Sequence, residues 1–284
     1  MTINFIKKKI FIINNQNKII IFLLIFVIIL LLSLKLSPGK DWDVFYSASK
    51  LLFEGKSPYN YETFGNPPWS LIISIPLVIV FPKKIAGDIW FVIGIFFFAI
   101  TAYRLHAKPI AMGLFLIAPP TVHCLLNGNI NWLPLFGFTL PPYIGLLFIL
   151  IKPQIGIGLA IYWIINAYKS GGFIKVIKII FPTLIAYILS FVLYGFWIKN
   201  MLNIYKVSML WNTSLWPYSV PLGLLLIIFG IKKKDPTWVY GAGPFLSPYV
   251  LFHVWDAVLV SLLRKTWILF FIVILLWIIV FYKL

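Results

Sequence analysis

Polar positions are sparse in this chain, and each one interrupts a long apolar run. Residues 19–34 form the first run and read as a retained anchor helix, too long for the core of a cleaved leader. Residues 44–54 then place Val44, Ala48, Leu51 and Leu52 on one helical face, with Ser47, Lys50 and Glu54 on the other. Gly55 follows as a C-cap. Such a helix lies in the membrane interface rather than crossing it. After Asn66-Pro67-Pro68-Trp69 an apolar run reaches Phe81 and stops at Pro82-Lys83-Lys84. At about 14 residues it extends only ~21 Å as a helix, short of a ~30 Å hydrocarbon core. It therefore reads as a second membrane-lying or re-entrant helix, and residues 37–86 as one large outer loop. Further runs cover 87–103, 109–125, 179–197 and 267–282. Residues 131–168 are apolar but broken by Pro134, Pro141-Pro142 and Lys152-Pro153-Gln154. Broken helices at membrane depth are tolerated where protein or a water-filled cavity satisfies the freed backbone groups.

The pattern predicts an all-α, polytopic membrane protein with about nine or ten transmembrane helices. It forms a single domain over residues 1–284, with interfacial helices in the first outer loop and no internal repeat. Composition agrees: 62% of residues are hydrophobic, 11% are charged, and the mean hydropathy is +0.99. The formal net charge of +17 points to span ends rather than nucleic acid, because the lysines cluster where runs stop. Lys7, Lys8, Lys9 and Lys18 precede the first run, which sets the N-terminus in the cytoplasm. Arg104, His106 and Lys108, then Lys169, Lys175 and Lys178, then Lys232–Lys234 fall on the same side. The expected location is the plasma membrane, multi-pass, with the loop over 37–86 outside. The single cysteine, Cys124, excludes an internal disulfide and a cysteine metal cluster.

Acid is distributed unevenly. Five of the seven Asp and Glu residues lie between Asp41 and Asp88, and Asp41 and Asp43 stand just past the first run. Ionisable groups at a membrane edge are functional candidates. The low dielectric there favours a protonated carboxyl, which suits a carboxylate to accept a proton. The bland alternative is a pair of solvated charges at a helix end. Three further polar clusters fall on the same outer side: Asn127/Asn129, Lys152/Gln154 and His253/Asp256. Together they describe a polar cavity opening outward. Lys152 reads either as a phosphate contact or as a lysine snorkelling to headgroups. His253 and Asp256 either orient one another or simply end a helix. No phosphate-binding G-x-x-x-x-G-K-[ST] loop, G-x-S-x-G elbow or H-E-x-x-H helix is present, which argues against cytosolic ATP chemistry, serine hydrolysis and zinc proteolysis.

The segment Asp41-Trp42-Asp43-Val44-Phe45-Tyr46-Ser47-Ala48, followed by Gly55, Tyr59 and Pro67-Pro68, resembles the first outer loop of the GT-C superfamily of integral-membrane glycosyltransferases. Within it, the chain is most similar to the polyprenyl-phosphate-mannose-dependent mannosyltransferases. Gly128-Asn129-Ile130-Asn131, Lys152-Pro153-Gln154, Asn212-Thr213-Ser214-Leu215 and Ser247-Pro248 through His253 and Asp256 resemble later signatures of that family. Asn129 departs from a usual Gln, and Asp43 adds a second carboxylate. The resemblance implies a hexosyltransferase that moves a sugar, mannose by this likeness, from a polyprenyl-phosphate donor to an acceptor hydroxyl on a lipid, glycan or protein, with inversion, at the extracytoplasmic face. It implies Asp41 or Asp43 as the base, and Tyr46, Asn129, Lys152, Gln154, His253 and Asp256 as donor or acceptor contacts. It implies no cofactor, although the paired Asp41 and Asp43 leave a divalent cation open. Membrane lipids are the other expected partners. The competing expectations are a lipid-linked sugar carrier or flippase and a non-catalytic membrane relative.

Overall fold

The computed structural model describes residues 39–283, so the expected span at 19–34 and the N-terminal lysines lie outside the described residues. Every regular element among these residues is helical. Helix α1 (Lys40–Phe53) puts Asp41 and Asp43 in its first turn and Lys50 in its last, in line with the helix dipole. Trp42, Phe45, Ala48 and Ser49 form its buried face. The helix expected over 44–54 is present, begun four residues earlier, and Gly55 follows its C-cap at φ +74°. The helix expected over 69–81 is broken into a 3-10 turn, Pro68–Leu71, and the seven-residue α2 (Ser74–Val80). The Ser49 and Ser74 hydroxyls pair at 2.6 Å and tie α2 to α1.

Helix α3 (Lys83–Arg104) is 22 residues long, about 33 Å. Helices α4 (Pro109–Leu116) and α5 (Pro119–Asn127) continue one another across a bend of 55°. Prolines in both first turns fit positions where the backbone N–H has no helical acceptor.

The stretch that the prolines broke up is a helical hairpin. Helix α6 (Trp132–Gly137) descends from Asn131, and its Phe136 ring lies 5.7 Å from the Arg104 guanidinium. Helix α7 (Pro142–Ile149) climbs back, and Lys152 Nζ closes the hairpin on Asn131 Oδ1 at 2.8 Å. At six and eight residues, the arms reach about 9 and about 12 Å, each less than half a bilayer core.

Helix α8 (Pro153–Tyr194) is likewise two limbs. Gly171 (φ −164°, ψ 19°) and Gly172 (φ 63°, ψ −160°) leave helical geometry. The Tyr187 hydroxyl donates to Leu150 O at 3.1 Å, so the second limb runs back alongside the first. A left-handed φ at the reversal is what glycine permits without strain. The loop expected at Lys169, Lys175 and Lys178 is thus only these two residues, with the lysines on helix either side. The chain ends with α9 (Ile198–Val207), α10 (Val220–Lys233), α11 (Ala242–Leu246), α12 (Asp256–Ser261) and α13 (Thr266–Lys283).

Helix α3 gives the molecule two ends. At its start Lys83 pairs with Asp43 at 2.7 Å, and Trp90 Nε1 donates to Gly128 O at 2.9 Å. At its finish Leu105 O accepts from Arg264 Nε at 3.3 Å, and Lys108 stands nearby in sequence. From Trp90 to Arg104 is about 21 Å. Lys265 stands over the Trp238 ring at the same far end, just past the Lys232–Lys234 tail of α10. By length and composition, α3 and α8 are able to cross a membrane, and the bent α4–α5 pair makes a third.

Candidate functional site

The site is assembled where α1 begins. Trp42 is buried against Trp90, ring centroids 5.3 Å apart, and its Nε1 donates to Lys83 O. At 100° per residue, its two neighbours then point to opposite sides of the helix. Asp41 turns to the loop after α5 and Asp43 to Lys83. Gly128 sits at φ +71°, and a Cβ there would stand 2.6 Å from the Trp42 Cβ. Only glycine allows this approach, which brings two amides onto Asp41. Its Oδ2 accepts from Asn127 Nδ2 at 2.8 Å and from Asn129 Nδ2 at 2.6 Å. Among the described residues no donor bonds Oδ1.

The bonds continue inward. Lys152 Nζ donates to Asn129 Oδ1 at 2.5 Å and to Asn131 Oδ1 at 2.8 Å. Asn131 Nδ2 donates to Asp256 Oδ2 and to His253 O, both at 3.0 Å. Asn129, Asn131, Lys152, His253 and Asp256 are all buried. Charge fixes the orientation of each amide: oxygen faces the ammonium and nitrogen faces a carboxylate. The result is a polar chain, Asp41–Asn129–Lys152–Asn131–Asp256, with one cation between two carboxyl groups. A buried ammonium is tolerated because both acceptors and counter-charges are at hand.

Above this chain lies a cavity of about 1230 Å³. Asp41, His123, Asn127 and His253 line its floor, and Tyr59, Leu251, Phe252 and Trp211 give it apolar walls. Lys40, Glu62 and Thr63 also border it, and α9 contributes Asn200 and Asn203. The His123 and His253 rings stack with centroids 5.6 Å apart. Neither ring nitrogen of His253 has a partner among the described residues, nor does Asp256 Oδ1. Asn212 and Thr213 reach the cavity from a segment stitched to the 247–250 stretch, through Thr213 N to Val250 O at 2.7 Å and Ser214 Oγ to Ser247 O at 2.6 Å.

The four clusters expected on a common side do meet, and one bonded chain takes a residue from each of them. Their roles divide, however. Asp41 and His253 border the cavity, while Asn129, Lys152 and Asp256 lie beneath it. Gln154 is buried in the first turn of α8 and does not border the cavity. Asp43 pairs with Lys83, and Tyr46 packs edge-on to Trp42 with Lys83 5.7 Å from its ring, both away from the cavity. Two carboxylates on opposite sides of α1 do not fit one bridging cation. Among the described residues no three His, Cys, Asp or Glu side chains group as a metal site. Sequence reasoning passed over His123 and met Asn131 only within the Gly128–Asn131 resemblance, without a role. The signals were present: His123 and Asn127 are one turn apart on α5, and Asn127, Asn129 and Asn131 recur at every second position. Comparisons with family models, curated proteins and solved structures find no match to this chain.

Proposed function

We propose that the chain is a membrane glycosyltransferase that moves a sugar from a polyprenyl-phosphate donor to an acceptor hydroxyl. The observation that carries this reading is the Asp41 carboxylate on the cavity floor. Two amides hold one oxygen, and the other has no donor among the described residues. In the reaction Asp41 Oδ1 takes the proton from the acceptor hydroxyl as that oxygen attacks the anomeric carbon from the face opposite the phosphate. The bond from the anomeric carbon to the phosphate oxygen breaks, with inversion, and its electrons leave with the lipid phosphate. A phosphate monoester, with a second pKa near 6, leaves without strong acid assistance. In this reading His123 and the cavity amides of Asn127, Asn200, Asn203 and Asn212 meet the donor phosphate, with His253 packed behind His123. Lys152 acts from beneath, by holding Asn129 on Asp41. The sugar is mannose by the family resemblance.

Chain direction supports an extracytoplasmic cavity. Taking α3, α4–α5, both limbs of α8, α10, 236–251, 252–264 and α13 as crossings gives eight among the described residues, with α6–α7 re-entrant. Arg104, Lys108, Lys169, Lys175, Lys178, Lys232–Lys234, Arg264 and Lys265 then face the cytoplasm, as the positive-inside rule prefers. The re-entrant hairpin also suits a carrier of lipid-linked sugars.

The test is incubation of purified protein with polyprenyl-phosphate-[³H]mannose and a membrane extract, comparing wild type with Asp41→Asn. A positioned base is worth about 10²–10⁴ in rate, so the variant should lose transfer by that factor while keeping its fold. Transfer at the wild-type rate by Asp41→Asn sinks the assignment. Donor binding without any transferred label favours the carrier.

A further inference from the structure

The far end of α3 from the cavity holds a second concavity. The first turns of α4 and α13 open into one cleft of about 790 Å³, lined by Lys108, Arg264, Lys265, Ile110, Trp267 and Ile268. All three cations are exposed. Arg264 commits its Nε–H to Leu105 O at 3.3 Å, and Lys265 leans over Trp238 at 5.0 Å. The remaining guanidinium N–H groups and both ammonium groups have no acceptor among the described residues. Lys108 is the N-cap of α4 but makes no side-chain cap bond, and Pro109 follows at the first position. The first-turn N–H groups of that helix therefore add positive potential to the same cleft.

Among the described residues the carboxylate that feels these cations is Asp235. Burial pushes its carboxyl up, but hydrogen bonds from Thr237 together with Arg264 and Lys265 hold it below the usual carboxylate range. Its side chain is already committed to capping the Pro236–Trp238 turn through Thr237 N at 3.1 Å. The cleft thus carries an excess of positive charge.

Its wall is unlike that of a site for a free ion. Trp267 is 75% exposed and Ile110 66%, and the apolar surface continues along α13 through Phe271 and Leu275. A cationic recess against a continuous apolar stripe matches a molecule with an anionic head and hydrocarbon chains. We propose that this cleft binds the headgroup phosphate of an anionic phospholipid in the leaflet facing the basic end, its acyl chains lying along Ile110, Ile268 and α13. Polybasic surfaces at a membrane face recognise anionic lipid in this way, and two helix starts beside three cations give the headgroup a defined seat. The cavity over Asp41 takes no part, so the inference stands whether or not the transferase reading does.

The experiment uses the full-length chain in neutral detergent, with lipid retention measured by native mass spectrometry. Wild type should retain phosphatidylglycerol at least ten-fold more strongly than phosphatidylcholine. The triple variant Lys108→Gln, Arg264→Gln, Lys265→Gln should bring the two to parity. Equal retention of both lipids by wild type overturns the proposal. Displacement of phosphatidylglycerol by an equal concentration of inorganic phosphate or glycerol 3-phosphate overturns the lipid assignment in favour of a free anion. A photoreactive phosphatidylglycerol supplies a readout on wild type alone. Label on residues 108–110 or 264–268 supports the site, and label confined to other segments refutes it.

Discussion

Replacing Lys152 by Met tests the buried polar chain directly. Methionine keeps most of the apolar stem and removes the ammonium, which donates to Asn129 Oδ1 and Asn131 Oδ1 at 2.5 and 2.8 Å. Two buried amide oxygens then lose their donor. Side-chain hydrogen bonds within membranes average about 0.6 kcal/mol with a maximum of about 1.7, so the pair accounts for about 1–3 kcal/mol. The larger effect is charge. Asp256 is fully buried, and Lys152 is the nearest cation in its bonded chain. Removing one member of a buried charge network typically costs about 3–5 kcal/mol, because the other is left uncompensated. The charge effect should dominate, and Lys152→Met should lose about 3 kcal/mol or more. That is a large part of a typical total of about 5–15 kcal/mol.

This cause has a signature that simple loss of packing lacks. Adding Asp256→Asn to Lys152→Met removes the stranded carboxyl, while Asn131 Nδ2 keeps an acceptor. The double variant should therefore be more stable than Lys152→Met alone, by about 1–3 kcal/mol, the usual scale of coupling between bonded groups. Thermal unfolding of all four proteins in one detergent supplies the cycle. If the two changes add to within about 0.5 kcal/mol, the chain is not an energetic unit and the reasoning fails.

Asp43→Asn should leave transfer unchanged and shift stability by no more than about 1 kcal/mol, because its pairing with Lys83 is half exposed; the same labelled-sugar assay and melting curve check it. Gly128→Ala meets a left-handed φ and a Trp42 contact at 2.6 Å, so it should cost at least about 1–2 kcal/mol and reduce transfer by moving both amides off Asp41. His123→Gln should raise the donor KM about ten-fold, equivalent to about 1.4 kcal/mol of lost binding, with kcat changed less than three-fold. A fall in kcat alone at His123 contradicts its role as a donor contact.

Much of this architecture was legible in the sequence because polar groups at membrane depth must find one another. Asp41, Asn129, Lys152 and Asp256 are far apart along the chain, yet few apolar-run breaks carry such groups, and their convergence followed from that scarcity. The helix at 44–54 was legible from its two-faced pattern, and the reversal near 171 from the lysines around it. The hairpin over 131–152 was not. Two short apolar helices and one apolar span share a composition, and only prolines hint at the difference. The partners of Lys152 were hidden for another reason. A lysine inside an apolar stretch announces that something must compensate it, but not whether that is a ligand phosphate or protein amides. The structure supplies the amides, Asn129 and Asn131.

The choice between Asp41 and Asp43 is the plainest case of what spacing alone leaves open. Two carboxylates two residues apart look like a pair on paper, and a pair invites a metal or a shared proton. On a helix they diverge by about 200°, so the residue between them decides which faces the cavity. Trp42 is that residue. Its burial against Trp90 and its Nε1 bond to Lys83 O fix the rotation of α1. Gly128 admits the tryptophan backbone closely enough for both amides to reach Asp41. Asp43 is left to pair with Lys83 at the start of α3, where it anchors α1 to that 22-residue helix. The two acids thus act on different things, one on the cavity and one on the frame, and the tryptophan between them separates the roles.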